Sequence, residues 1–589
     1  MRSPLKRLIG VPCLIFFLLA TSVLSFSSAA QLHNDIQTFR DFSVAPGSVH
    51  PTVHATSGTA DTTWYVDANI GDDAYTCTSS SVGVGGPPTP GPCLTIQGVL
   101  SKPGLADGDI INVAAGTYTA PSPNPITISK DNLVITGAGA ATTKIIGEGA
   151  PGVVLVCGNG NTFQGFTVDI SANIVPGHVH LEQGVRVTGD NNVIQNNVLV
   201  GRGDEVVNIP GGFQGTYGIF VAGGAVMAPP CPVGGGGDGD GVADGNQVLY
   251  NEAYDWHQIG ILIGGSDKAD GTLVLGNNVH HNGQGIYNDR ATNSMIWGNT
   301  AHQNDWVGIV VDCQPLAVPA RPCTGTVVEN NDVYSNGAET YFTPFWVGAP
   351  EAGLQFIGAS GVANFGNNVH DNTSPGAGVD AGILVQDGYD GSAVAPSINF
   401  DNIFNNEIAV NQLGLPPTIV DARNNWWGSP SGPLENSPVP DACGLSLDNP
   451  GGGGDPASAC VDYLPWLSDP RVAMTVSYQV TGGGSGYSAP VLNYVIGTVG
   501  KTWTLTTTPM TIFVDPGSSW YVTPNPLTGS TSLEQWYSDP ASLSGTASTT
   551  ALVFTFYHQY LQTLSYTVAG GGTGYSDPTF TANRYGASA

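Results

Sequence analysis

Through the middle of the chain, short apolar runs alternate with polar residues and stop at Asn or Gly. Within Gly271–Asp312 the pattern repeats. LGNNVHHN (Leu275–Asn282) returns as WGNTAHQN (Trp297–Asn304), and GIYND (Gly285–Asp289) returns as GIVVD (Gly308–Asp312), at offsets of 22 and 23 residues. A period of two selects strands, and the Asn and Gly between runs interrupt helices. Repeats of this length stack, each coil burying its apolar face against the next. The pattern predicts an all-β chain wound as a parallel β-helix.

The template threads through much of the sequence. Its leading Asn falls at Asn196, Asn251, Asn277, Asn299, Asn331 and Asn367, with Asp401 in the last equivalent place. Two positions on stands a column of Val198, Ala253, Val279, Ala301, Val333, Val369 and Ile403. Small and β-branched residues there suit an inward face. Stacked Asn side chains at a tight turn predict a hydrogen-bonded ladder, a structural role. One step beyond that column come Leu199, Tyr254, His280, His302, Tyr334, His370 and Phe404, predicted to face outward. Three readings of this second column stand: a stacked ladder stiffening the sheet, a platform for sugar rings, or a metal site at His280 and His302.

Composition narrows the partners. Charged residues make up 11% and there are 81 glycines, which suits many turns and an uncharged, amide-rich surface. The 46 acidic against 16 basic side chains give a formal charge of −30. That balance argues against nucleic acid, whose phosphates need Lys and Arg, and against polyanionic glycans without a bridging cation.

Residues 1–30 read as an export signal: Arg2, Lys6 and Arg7 precede the apolar run Leu8–Ala20, and Ser28-Ala29-Ala30 offers a cleavage site. The apolar core is shorter than the roughly 20 residues a membrane span needs, so no span is expected after cleavage, and the chain is expected to be secreted or on the cell surface. Beyond Cys13, eight cysteines remain, with close pairs Cys77–Cys93, Cys313–Cys323 and Cys443–Cys460. Cys157 and Cys231 are left over and open to pairing with each other.

Residues 31–61 lack periodicity and read as a linker. WYVDANIGDD (Trp64–Asp73), CLTIQGVL (Cys93–Leu100), GDIINVAAGTY (Gly108–Tyr118) and DNLVITGAG (Asp131–Gly139) then follow, and NNWWGSPSGP (Asn424–Pro433) closes the series. These segments resemble the right-handed parallel β-helix superfamily, the pectate-lyase-like fold, over residues 62–470. The resemblance implies an opening strand, a short capping helix and right-handed coils. It implies no particular chemistry, since the fold hosts lyases, hydrolases, epimerases, tailspikes and inert stalks. Polygalacturonases of this superfamily carry an Asp-Asp pair with Gly-His-Gly and Arg-Ile-Lys, and none stands here. Pectate lyases use calcium-bound carboxylates with an arginine base; the arginines available in the coils are Arg186, Arg202, Arg290 and Arg321.

Two insertions break the coils. Ala222–Asp244 carries Asp238, Asp240 and Asp244 among glycines, a candidate Ca2+ loop or a solvated one, without the bidentate Glu of an EF-hand. Glu339–Pro350 (ETYFTPFWVGAP) carries four aromatics, for core-edge packing or sugar stacking. After Leu467, VSYQVTGGGSGYSAP (Val476–Pro490) returns as LSYTVAGGGTGYSDP (Leu564–Pro578) at an offset of 88 residues with ten of fifteen identical. This predicts a small β-sandwich-like module over 471–561 and a truncated second copy over 562–589. The modules resemble tandem repeats of large microbial surface proteins.

Asp289 and Asp312 share a register one coil apart, where neighbouring strands lie about 4.8 Å from each other. Facing outward beside Arg290, they would form a carboxylate pair able to share a proton, hold a divalent cation or cleave a glycosidic bond. That orientation turns Asn288 inward, where other coils carry Val187, Val221, Ile263, Val311 or Val385. The other reading ends the strand at Tyr287 and leaves both aspartates in turns. Three functions follow: a secreted or surface β-helix that binds polysaccharide or other surface glycans, with Tyr254, His280, His302, Tyr334 and His370 as contacts; a polysaccharide lyase or glycoside hydrolase using Asp289, Asp312 and Arg290; or a passive stalk.

Overall fold

The computed structural model describes residues 62–579, 583–584 and 587–588, apart from 84–88, 122–123, 148–151, 172–181, 204–215, 224–230, 232–241, 266–268, 315–321, 338–350, 374–380, 393, 415–417 and 436–439. The expected signal and linker residues 1–61, Asp238, Asp240, Arg321 and the aromatic segment 339–350 therefore lie outside the described residues.

The alternating runs form a right-handed parallel β-helix with three sheets. Each coil passes from face 1 to face 2 to face 3, as in Thr162–Gln164, Thr167–Asp169 and Glu182–Val187. Face 1 has thirteen strands and faces 2 and 3 ten each, pairing in parallel along the axis. The core is a stack of aliphatic columns. On face 3 the series Val185, Ile219, Ile261, Ile286, Ile309, Leu354, Ile383 is in register and buried.

The turn from face 1 to face 2 carries the asparagine ladder. Asn251, Asn277, Asn299, Asn331 and Asn367 are buried, and each amide Nδ2 donates to the Oδ1 of the residue below, for example Asn277 to Asn299 at 3.0 Å and Asn299 to Asn331 at 3.0 Å. The same residue's backbone N–H donates to that oxygen too, as Asn277 N does to Asn299 Oδ1 at 2.9 Å. A turn that hides its backbone from water thus keeps its polar groups satisfied. A second ladder, Asn282–Asn304–Asn336–Asn372, holds the turn from face 2 to face 3.

One coil departs from the expected register. The ladder member is Asn197, not Asn196, and Leu199 pairs with Ala253 in the buried column while Val198 pairs with Glu252. Asn196 instead has φ 54°, the left-handed region that Asn tolerates at a turn. The doubled NN of this coil admits both alignments, and burial of Leu199 selects between them.

The ends are closed by apolar side chains. Helix Ile96–Leu100, capped by Thr95, buries Ile96 and Val99 over the first coil. Asp109 binds Thr62 N, Ala106 N and Trp64 Nε1 at 2.8–2.9 Å, locking the opening strand. At the far end Trp427 packs edge-on to Tyr463, both buried. Between Val472 and Tyr560 lie two four-stranded sheets. They pack on face 1: Trp503 stacks on Trp297 at 3.8 Å, Lys501 binds Glu329 at 3.1 Å, and Phe513 N donates to Asn330 Oδ1 at 3.1 Å. The glycine loop of this module lies on Trp536 and His558; a Cβ at Gly484, with φ 92°, would come within 2.7 Å of the His558 ring. Residues 561–579 form no strand and are exposed.

Four disulfides are present: the three close pairs and Cys157–Cys231. Such bonds persist in oxidising compartments. Among the described residues no helix is long and apolar enough to cross a membrane.

Candidate functional site

Face 3 presents its outward column Gly264, Asp289, Asp312, Ile357 and Gln386 in strict register. The two aspartates are Cα partners on neighbouring strands, so the strand runs through to Asp289 rather than ending at Tyr287. Asn288 does turn inward and is fully buried. Its amide is satisfied locally: Oδ1 accepts from Ala291 N at 2.9 Å, and Nδ2 donates to Ala291 O and Thr326 Oγ1. That local pairing removes the cost of an amide among aliphatics.

Arg290, in the left-handed region at φ 68°, folds back to clasp Asp289 through Nε and Nη2, the latter at 3.0 Å. Its backbone N donates to Asp312 O at 2.8 Å, which fixes the turn between the two coils. Asp312 is 3% exposed. Its Oδ2 accepts from the Tyr287 hydroxyl at 3.0 Å, and among the described residues its buried Oδ1 has no hydrogen-bond partner. Burial, reinforced by the Asp289 charge, pushes the Asp312 carboxyl up to about 7. Burial and Asp312 likewise raise the Tyr287 phenol well above its ordinary value, so it remains a donor. The site therefore holds a carboxyl that is about half protonated at pH 7 beside one paired with a guanidinium.

Two tyrosines frame the pair. Tyr217, also on face 3, is pushed up to about 12 by burial and by Asp289. Tyr389 stands in a turn pinned by Gly388 N to Ser392 O at 2.9 Å and Ser392 N to Asp390 Oδ1 at 3.0 Å. The residue is 73% exposed, and desolvation, then the Asp312 and Asp289 charges, shift its phenol upward. Tyr287 was legible in the sequence, since it lies two residues before Asp289 and so shares its face. Tyr389 carried no pattern signal, because a turn brings it there from three coils away.

The second candidate column forms on face 2. Tyr254, His280, His302, Tyr334, His370 and Phe404 stack ring on ring at 4.9–5.2 Å, with interplanar angles of 4–18°. Each imidazole is held at both nitrogens. Nε2 of His280, His302 and His370 meets Glu252, Asn278 and Asp332 at 3.2 Å, while Nδ1 meets His281, Gln303 and Asp371 at 2.7–3.0 Å. The interior rings thus spend their faces on one another and turn edges outward, so a face-on sugar platform is not what they present. Nor do the ladder histidines gather a third ligand. Among the described residues the one metal-like group is Asp441, Cys443 and Cys460, whose cysteines form a disulfide.

In the candidate calcium loop only Asp244 is described. Its Oδ1 accepts from Asp270 N at 2.9 Å, and its own N donates to Asp190 Oδ1 at 2.7 Å. It belongs to a ladder of turn side chains that includes Asp131, Asn159, Asp190 and Asp270.

The fold and this site define a right-handed parallel β-helix with an acidic cluster on the outer face of one sheet. Residues 152–411 match the family described as the right handed beta helix region. Among solved structures, the chain is similar to the A-module of a mannuronan C-5 epimerase from Azotobacter vinelandii, with 17% identity, 61% of this chain and 91% of that one covered, and TM-score 0.36. A second is the Dettilon tailspike protein, with 13% identity, coverage of 73% and 78%, and TM-score 0.36. A third is the pectate lyase Pel9A, with 16% identity, coverage of 69% and 78%, and TM-score 0.33. No curated protein matches the chain.

Proposed function

We propose that this protein engages polysaccharide along the outer face of face 3 and cleaves it by acid–base hydrolysis at Asp312 and Asp289. The observation that supports this reading is the Asp312 carboxyl, buried, held by the Tyr287 hydroxyl and still about half protonated at pH 7. A general acid works best when its pKa lies near the working pH. In this reading Asp312 protonates the glycosidic oxygen. Asp289, kept in place by Arg290, bonds to the sugar carbon as the glycosidic bond breaks, and a water that gives a proton back to Asp312 then displaces the sugar from Asp289. Tyr389 supplies an exposed aromatic ring for the adjacent sugar, as aromatic faces do for pyranoses. Strand spacing of about 4.8 Å is closer to the roughly 5–5.5 Å of retaining pairs than to the wider spacing that admits water. Retention of anomeric configuration is the expected outcome.

The test is a screen of neutral and acidic glycans with wild type, Asp289→Asn and Asp312→Asn. Release of reducing ends by wild type, lost in both variants with the fold intact, is expected. Products absorbing in the near ultraviolet would mean a lyase instead. Retention of a glycan without any product, reduced in Tyr254→Ala or Tyr334→Ala, would place the function in binding along the ladder edge. Neither product nor retention would leave a passive stalk.

A further inference from the structure

Among the described residues, contacts of the C-terminal module with face 1 begin at the coil of Tyr250, where Tyr250 meets Thr506, and continue where Trp297 meets Trp503. The coils before it leave a different surface. Tyr65, Asn112, Thr136, Gln164 and Gln195 occupy one outward column, in register on successive strands. Its last three side chains are linked head to tail. Gln195 Nε2 donates to Gln164 Oε1 at 2.6 Å, and Gln164 Nε2 donates to Thr136 Oγ1 at 3.0 Å. The relay has one direction. Thr136 Oγ1 is its final acceptor, next to Asn112 at the head of the column.

There the structure has a cavity of about 330 Å³, lined among others by Tyr65, Asp67, Ser80, Asn112 and Thr136. That volume lies within the range of small-molecule sites. The segment tied by Cys77–Cys93 walls it through Ser80 and Pro92. Asn112 is exposed, and half-buried Ile110 and Val134 form an apolar pair beside the amides, continued by Thr162. Donors and acceptors from amides and hydroxyls, an aromatic ring and a neighbouring apolar pair suit a polyol with apolar C–H faces. Asp67 is the one charged lining residue, so an anionic ligand would be repelled and an uncharged one is favoured.

We propose that this shelf on face 1 is a second carbohydrate site, which seats an uncharged sugar residue in the cavity and its neighbours along the Thr136–Gln164–Gln195 amides. It is separate from the carboxylate pair on face 3 and does not depend on cleavage there. The site would hold a polymer while the other face works on it.

Affinity electrophoresis of the full chain through gels containing soluble xylan, galactomannan or mixed-linkage β-glucan tests it. An Asp312→Asn background prevents any turnover during the run. Retardation by at least one of these neutral polymers is expected, and Asn112→Ala with Thr136→Val should weaken it roughly tenfold, the loss of about two hydrogen bonds. Asn112→Trp, which fills the cavity from an exposed position, should do the same without touching the relay. Any cleavage of short oligosaccharides by the otherwise wild-type chain should survive both changes. Retardation unaltered in these variants, or absent with all three neutral polymers, would overturn the proposal.

Discussion

Replacing Asp312 by Asn changes how stability depends on pH by an amount that follows from its surroundings. Its carboxyl titrates at about 7 in the folded chain because burial, then the Asp289 charge, disfavours ionisation. In the unfolded chain the same group titrates near 3.9. Between these values the folded chain holds a proton that the unfolded chain has released. Stability therefore falls as pH rises through this window, and levels off above about 7. From pH 5 to pH 8 the loss covers two units below the native value, or about 3 kcal/mol at roughly 1.4 kcal/mol per unit. An amide does not titrate, so Asp312→Asn should lack this slope. Asp401, raised to about 7 mainly by burial, is common to both proteins and cancels in the comparison. Urea unfolding of both at pH 5 and pH 8 measures the difference directly, whatever the constant cost of packing the amide. The variant should gain about 3 kcal/mol on wild type across that range while losing hydrolysis at every pH. Parallel stability at both pH values would refute the neutral buried carboxyl, and with it the general acid. If hydrolysis is found, wild-type rates should decline as pH rises through about 7.

Other consequences can be checked singly. Val333 lies in the fully buried face 2 column between Ala301 and Val369; Val333→Asp should abolish cooperative melting, because an unpaired charge enters the core. Asn299→Ala removes the acceptor of Asn277 N and the donor to Val274 O, and should cost about 3 kcal/mol or more from two orphaned buried groups, read from urea midpoints. For His370, burial works against the charged form, but hydrogen bonds to Asp332 and Asp371 outweigh it and raise the pKa above 6.5. His302 is lowered by burial and then by His280. Imidazole NMR titrations should find these two, on either side of Tyr334 in the stack, on opposite sides of 6.5. His370 then adds stability that is complete below pH 6.5 and disappears as pH climbs through its folded value.

Much of the architecture was legible because a solenoid writes its geometry into local sequence. The 22-residue repeat, the period of two and the recurring Asn each report a contact between equivalent positions of adjacent coils. Column membership therefore follows from counting alone, and the stacked His/Tyr column and the in-register Asp289 and Asp312 came from that arithmetic. Where counting is ambiguous it fails: at Asn196-Asn197 either residue satisfies the pattern, and only the burial of Leu199 against Ala253 decides. Asn288 was ambiguous for another reason, since an inward amide is unfavourable until Ala291 and Thr326 are seen to satisfy it.

What tertiary structure alone decided lies between positions that no period connects. Ring orientation on face 2 depends on how each imidazole is tethered at its two nitrogens, which the sequence pattern of ladder, platform or metal site left open. The Asp312 titration depends on the solvent excluded around it, and sequence carries no record of that. Tyr389 reaches the carboxylates through a turn three coils on, and Trp503 finds Trp297 across some two hundred residues. Spacing along a chain fixes neighbours within a repeating fold; side-chain direction, desolvation and contacts between non-equivalent parts are set only when the whole chain has packed.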